Sequence, residues 1–207
     1  MARAVVDLGF GGEVSPAAVA AHLGVHPSSV YRNVGGTDAL VDAALTLLVR
    51  EAPWPRTADV ERDPALGRRA ASDGPWRRLL RGTAHAAYEL MTAHPGLTLA
   101  AAHHAFVNAA LLERFGVVVG DLEGLGWDVR DAAVTVDFVL DLTYDTVRDR
   151  EQLATRPSAA SRQTWSELLD PRLAEVFADA AGAGATAWFD QKLDLALAGI
   201  AGVLGHD

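Results

Sequence analysis

Residues 15–34, SPAAVAAHLGVHPSSVYRNV, constrain the fold more tightly than any other stretch of the chain. Ser15 is followed by Pro16, and a short run of Ala, Val and Leu leads to Gly24-Val25. A second start signal, His26-Pro27, comes at once. A serine oxygen accepts a hydrogen bond from an unpaired N–H at the head of a helix. Proline at the first helical position gives up an N–H that has no partner there anyway. The spacing therefore predicts a helix over 16–23, a tight glycine turn and a second helix over 27–34. Two short helices joined in this way form a helix-turn-helix, an arrangement whose second helix fits the major groove of DNA.

Elsewhere apolar residues recur at three- and four-residue intervals and nowhere alternate, so the expected fold class is all-α. Further helices are expected over 2–9, 37–52, 76–93, 97–104, 105–123, 128–151, 171–181 and 184–204. Gly35-Gly36 ends the helix over 27–34, and Thr37 or its neighbour caps the next, with Asp38 at its positive end. Residues 53–75 mix Pro, Arg and Asp without an apolar period and read as a linker or mobile loop, and 154–164 read as another loop.

Half of the 207 residues are hydrophobic, which excludes a disordered chain and allows a substantial core. The absence of cysteine excludes disulfides, thiolate metal sites and cysteine nucleophiles. No secretory signal or membrane-length apolar run stands out, so a soluble, cytoplasmic protein is expected. A net charge of −9 excludes a surface that coats nucleic acid throughout. It leaves room for a small reading head, although residues 1–50 set Arg3, Arg32 and Arg50 against Asp7, Glu13, Asp38 and Asp42. The first helix is expected to start almost at once, with no basic arm before it. Counterion release supplies most nonspecific DNA affinity, so such a head is electrostatically poor. GxSxG, the P-loop, HExxH and the glycine-rich dinucleotide fingerprint are all missing, so no catalytic residues, enzyme activity, cofactor or metal is expected. His103 and His104 are neighbours, project about 100° apart on a helix and cannot share one metal ion.

AVVDLGFGG at 4–12, with AVAAHLGVHPSSVYRNVGGTDALV at 18–41, resembles the DNA-binding domain of the tetracycline-repressor (TetR) family of bacterial regulators. HPGL at 94–97 and WFDQKLDLALAGIAGVL at 188–204 agree more loosely with the family's later helices. The resemblance implies a helix-turn-helix domain over 1–52, the linker or mobile loop over 53–75, and a larger helical ligand-binding and dimerisation domain over 76–207. It also implies that His26, Ser28 and Ser29 face base edges, while Tyr31, Arg32 and Asn33 contact phosphates or adjacent bases. Tyr31 could instead pack against the first helix. Ser15 would hold a phosphate at a helix N-terminus. Thr37 stands where the family usually has a phosphate-binding lysine, and Val34 where an aromatic is common.

Three helices offer faces that could bind something. Over 76–93, Trp76, Leu79, Leu80, Thr83, Ala87, Leu90 and Met91 form one stripe, with His85 opposite beside Arg78 and Glu89 and expected in solvent. Over 105–123, Leu111, Leu112, Phe115, Val119 and Leu122 form an apolar face, with Asn108 in its middle and His104 one turn earlier. A buried Asn or His must be hydrogen-bonded, either by the protein itself or by a ligand in a small-molecule pocket. Thr83, Met91, His104, Asn108, Phe115 and Phe138 are the candidate wall of such a cavity. Over 128–151, Asp137, Asp141, Asp145 and Arg148 share an arc that reads as a solvent-facing stripe, although three carboxylates could attract a cationic ligand or a hard metal. The apolar surplus of 128–151 and 184–204 fits a four-helix homodimer interface. The expectation is a homodimeric, ligand-responsive transcriptional regulator, a repressor released from an inverted-repeat DNA operator by a small-molecule effector. The alternative is a dimeric small-molecule-binding protein of the same fold whose head does not bind DNA.

Overall fold

The computed structural model describes residues 1–11, 14–56, 74–104, 107–155 and 158–205, and every element among them is helical. Four helices make the N-terminal head: α1 (Ala2–Leu8), α2 (Pro16–Leu23), α3 (Pro27–Tyr31) and α4 (Thr37–Glu51). The body follows with α5 (Pro75–Ala93), α6 (Leu97–His104), α7 (Ala109–Gly124), α8 (Val129–Thr155), α9 (Ser158–Leu168), α10 (Pro171–Ala180) and α11 (Ala185–Leu204).

The head closes over small side chains: Ala4, Val5, Val19, Ala20, Val30, Leu40 and Ala44, with Val34 and Phe10 packed at the edge. Val34 thus fills part of the core that a larger aromatic would fill further. The second half of α4 turns to the other core, where Leu45, Leu48 and Val49 join Trp76, Leu79, Leu80, Val118, Leu122, Trp127, Val136, Phe189 and Leu193. One helix therefore belongs to both cores. Trp76 and Trp127 meet edge to face at 5.2 Å, and Tyr88 stacks on Phe189 at 4.4 Å.

Several expected boundaries move, each for a local reason. The helix over 27–34 stops at Tyr31, with Arg32 as its C-cap, so Asn33 and Val34 lie beyond it. Of Thr37 and its neighbour, it is the neighbour Gly36 that takes the cap position of α4. The helix expected from 105 starts at Ala109, because Asn108 is its cap: Oδ1 accepts the Leu111 N–H at 3.0 Å. Residues 105 and 106 lie outside the described residues. The loop expected over 154–164 is occupied by the end of α8 and by α9. The Ala, Gln, Glu and Leu of α9 are good helix formers, and Trp165 faces Phe177 of α10 at 6.0 Å. Of the expected linker, residues 57–73 lie outside the described residues, but 53–56 are pinned. Trp54 Nε1 donates to the Val49 carbonyl at 2.6 Å, and Arg114 donates to the Pro55 carbonyl at 2.6 Å while covering the Trp54 ring.

Candidate nucleic-acid interface and body cleft

The turn between α2 and α3 has the geometry its residues require. Ser15 Oγ accepts the Ala18 N–H at 3.1 Å and Pro16 opens α2. Gly24 closes α2 in the left-handed region at φ 66°, where a side chain would be strained. His26 caps α3 through Nδ1, which accepts the Ser28 N–H at 3.3 Å and lies 2.9 Å from Ser28 Oγ. Val30 anchors α3 in the head core, and the opposite face is left to solvent. His26, Ser28, Tyr31, Arg32, Asn33 and Thr37 are exposed, Ser29 half-buried. Tyr31 is 58% exposed, so its ring is not packed under α1.

The arginines of the head are unequal. Arg3 is paired with Glu51 at 2.5 Å, and Arg50 lies 3.8 Å from Glu113. Arg32 has no carboxylate partner among the described residues. Its Nε donates to the Ser28 carbonyl at 3.1 Å, and Asn33 Nδ2 donates to the Ser29 carbonyl at 2.7 Å. Both side chains fold back on α3 and have to swing outward to touch anything else.

No protein-family model and no curated protein matches the sequence. Solved structures match along nearly its whole length. A possible TetR family transcriptional regulator from Streptomyces coelicolor A3(2) superposes with a TM-score of 0.75 at 20% identity, over 98% of this chain and 97% of that one. The TetR family protein ActR of Streptomyces coelicolor, in complex with actinorhodin, gives 0.71 at 17% identity, over 97% and 93%. TetR from Acinetobacter baumannii AYE gives 0.68 at 16% identity, over 98% and 95%. The chain has the TetR-family fold.

Within that fold none of the candidate wall residues lies on the lining of the body cleft between α5, α8 and α11. Asn108 is fully buried, and its amide donates to the Asp42 carbonyl, Asp42 Oδ1 and Thr46 Oγ1 of α4 at 3.3, 2.8 and 2.8 Å. His104 Nδ1 lies 3.6 Å from the same Asp42 carboxylate. Both therefore serve the joint between α4 and the body, reaching partners that lie far away in sequence. Phe138 is 49% exposed on the outside of α8, and Phe115 packs at the edge of the core. Thr83 and Met91 are buried, and Thr83 Oγ1 has no hydrogen-bond partner among the described residues. Asp137, Asp141 and Asp145 stay on an exposed arc of α8, with Asp145 paired to Arg148 at 3.0 Å. Burial, then Asp137 and Asp145, raise the Asp141 pKa above the ordinary carboxylate value.

A second joint lies at the HPGL turn. Gly96 has φ 85°, and a Cβ there would sit 2.7 Å from the Phe10 and Gly11 backbone. Glu151 of α8 holds the same turn, accepting the Gly96 N–H at 2.8 Å and the Thr98 hydroxyl. Beside it, His85, Tyr88, Glu89, Thr92 and Ala93 of α5, Arg150 of α8 and Thr186 of α11 line a cleft of about 450 Å³ that opens to solvent. His85, expected to be solvated and idle, is instead held by Asp190 of α11 at 3.1 Å and lies against the Phe189 ring. The helical period of α5 alone could not find this, because Asp190 and Arg150 are distant in sequence.

Proposed function

We propose that the protein is a homodimeric, ligand-responsive DNA-binding transcriptional regulator, a repressor released from an inverted-repeat operator by a small molecule. The carrying observation is the exposed face of α3, capped at its start and backed by Val30, with His26, Ser28, Ser29, Tyr31, Arg32 and Asn33 clustered there. Those groups can donate to phosphates or read base edges in a major groove, and Ser15 and Thr37 flank them. Dimerisation is supported by apolar side chains left outside on α8 and α11: Val134, Phe138, Leu195 at 76% and Val203 at 83% exposure. A two-fold pairing would cover them and set two heads side by side. Effector binding is supported by the actinorhodin complex of ActR, which shares the fold. Thr83 is the expected wall residue that best fits an effector contact, because its buried hydroxyl has no hydrogen-bond partner among the described residues. No helix among the described residues is long and apolar enough to cross a membrane. A regulator of this kind works in the cytoplasm.

The near-neutral head and the inward-folded Arg32 and Asn33 favour one second reading, a ligand-binding protein whose head leaves DNA alone. Selection of bound fragments from random DNA at low salt separates the two. The regulator yields an enriched inverted repeat, and Arg32→Ala weakens its binding. A folded dimer that enriches no motif overturns the regulator reading.

A further inference from the structure

We propose that the cleft between α5, α8 and α11 binds a small zwitterion of the amino-acid type, its carboxylate at Arg150 and Tyr88 and its ammonium group at Glu89. Tyr88 is only 4% exposed, yet it lines the cleft, and its hydroxyl is bonded to Arg150, which lines it too. That oxygen accepts a hydrogen bond from Arg150 Nη1 at 2.8 Å, so the phenolic hydrogen remains to be donated. It has no acceptor among the described residues. Arg150 has no carboxylate within ion-pair distance among them either, and its guanidinium keeps further donors in a planar fork. A buried O–H and an adjacent guanidinium, converging with their hydrogens unspent, make a receptor for a carboxylate.

The rest of the cleft adds a second sign. Glu89 lies on the same wall as an exposed carboxylate and is not ion-paired with Arg150. The two charges therefore face one cavity separately, as the two ends of a zwitterion require. Helix ends reinforce the polarity. Thr186 stands in the first turn of α11, where the dipole favours an anion, and Thr92 and Ala93 end α5, where it favours a cation. Thr92 is committed to the Tyr88 carbonyl at 2.8 Å, and His85 to Asp190, so both act as fixed walls. Ala93 is the one aliphatic side chain on the lining, and the polar groups are few and placed to orient an occupant. Arg150 neighbours Glu151, which grips the turn packed on the head, so an occupant that draws on Arg150 acts one residue from that grip.

Occupancy stands on the cleft alone; its regulatory meaning rests on the regulator reading. The test is calorimetric titration and thermal shift of the full chain without DNA. The probes are the common L-amino acids, the amines formed by removing their carboxyl groups, and their N-acetyl derivatives. At least one amino acid is expected to bind and raise the melting temperature, with its amine and N-acetyl forms weaker by about tenfold or more. Tyr88→Phe, which keeps the ring stacked on Phe189, and Arg150→Gln are each expected to weaken that binding by about tenfold or more. Glu89→Gln is expected to remove the preference over the N-acetyl acid. Absence of binding by every probe overturns the proposal, as does binding indifferent to Tyr88→Phe and Arg150→Gln, or an N-acetyl acid that binds as tightly as its parent. Fragment selection judges the regulator reading separately. A protein that enriches an operator but ignores every probe loses only the cleft assignment, and one that binds an amino acid but no DNA loses only the regulator reading.

Discussion

The head and the body solve the same packing problem with different materials. The body buries Trp76, Trp127, Phe189 and a set of leucines. The head buries alanines, valines and the single leucine Leu40. Apolar burial contributes roughly 25 cal/mol per Å², so a core of small side chains gains much less from closing. The head makes up the difference by sharing α4, whose Leu45, Leu48 and Val49 lie in the larger core. The contrast teaches that the exposed face of α3 is held by a weakly packed module leaning on a strongly packed one, which is where movable elements are found.

The largest expected effect comes from removing the ring that ties α11 to α5. Phe189→Ala should cost about 3–5 kcal/mol and unfold head and body together in urea. Two transitions there would break the idea that the head leans on the body. Val30→Ala should cost about 2 kcal/mol, most of it seen as faster amide exchange in α1 to α3 while α5 and α8 stay protected. Gly96→Ala tests the joint itself. The left-handed backbone costs about 1–2 kcal/mol with any side chain, and contact with Phe10 and Gly11 adds to it. Loosened protection of residues 1–11 should accompany the loss, and a purely local effect would argue against coupling through this turn. The smallest effect is a gain. Because the Asp141 pKa is raised in the folded state, its ionised form is disfavoured there. The protonated group's contribution is present at low pH and is lost as pH rises through that raised value. Asp141→Asn should therefore stabilise at neutral pH by about 0.2–0.5 kcal/mol per relieved pair, with no gain in acid.

The helices and the turn geometry of the head were legible in the sequence because their causes are local. Ser15, Pro16, Gly24 and Pro27 act within one or two turns of themselves, and each does in the fold what its chemistry dictates. Fold class and nearly all the body helices followed from apolar period in the same way. Asn108 was misplaced because the helical period was carried back across a cap. The period cannot show that an Asn side chain has left the ladder to bond α4. The cleft was illegible for the opposite reason. Its lining comes from α5, α8 and α11, with Tyr88 paired to Arg150 and His85 held by Asp190, and pairing across helices leaves no mark in the spacing of any one of them. Phe138 was grouped with the wall residues from polar groups that interrupt apolar stripes at helical spacing, and spacing along one helix does not tell that its ring is 49% exposed on α8.

The double membership of α4 bears on where this chain can be cut and rejoined. A hybrid that takes a foreign head by severing the chain after the last residue of α4 would bring its own Leu45, Leu48 and Val49 counterparts against a body shaped for these. Splicing between Ala44 and Leu45 leaves the apolar side chains of each half of the helix with the core they were fitted to. Asp42 and Thr46 straddle that point and both bond Asn108, so a chimera keeps the joint only if those two residues travel with the body. The natural seam for engineering thus runs through the middle of a continuous helix and follows its faces.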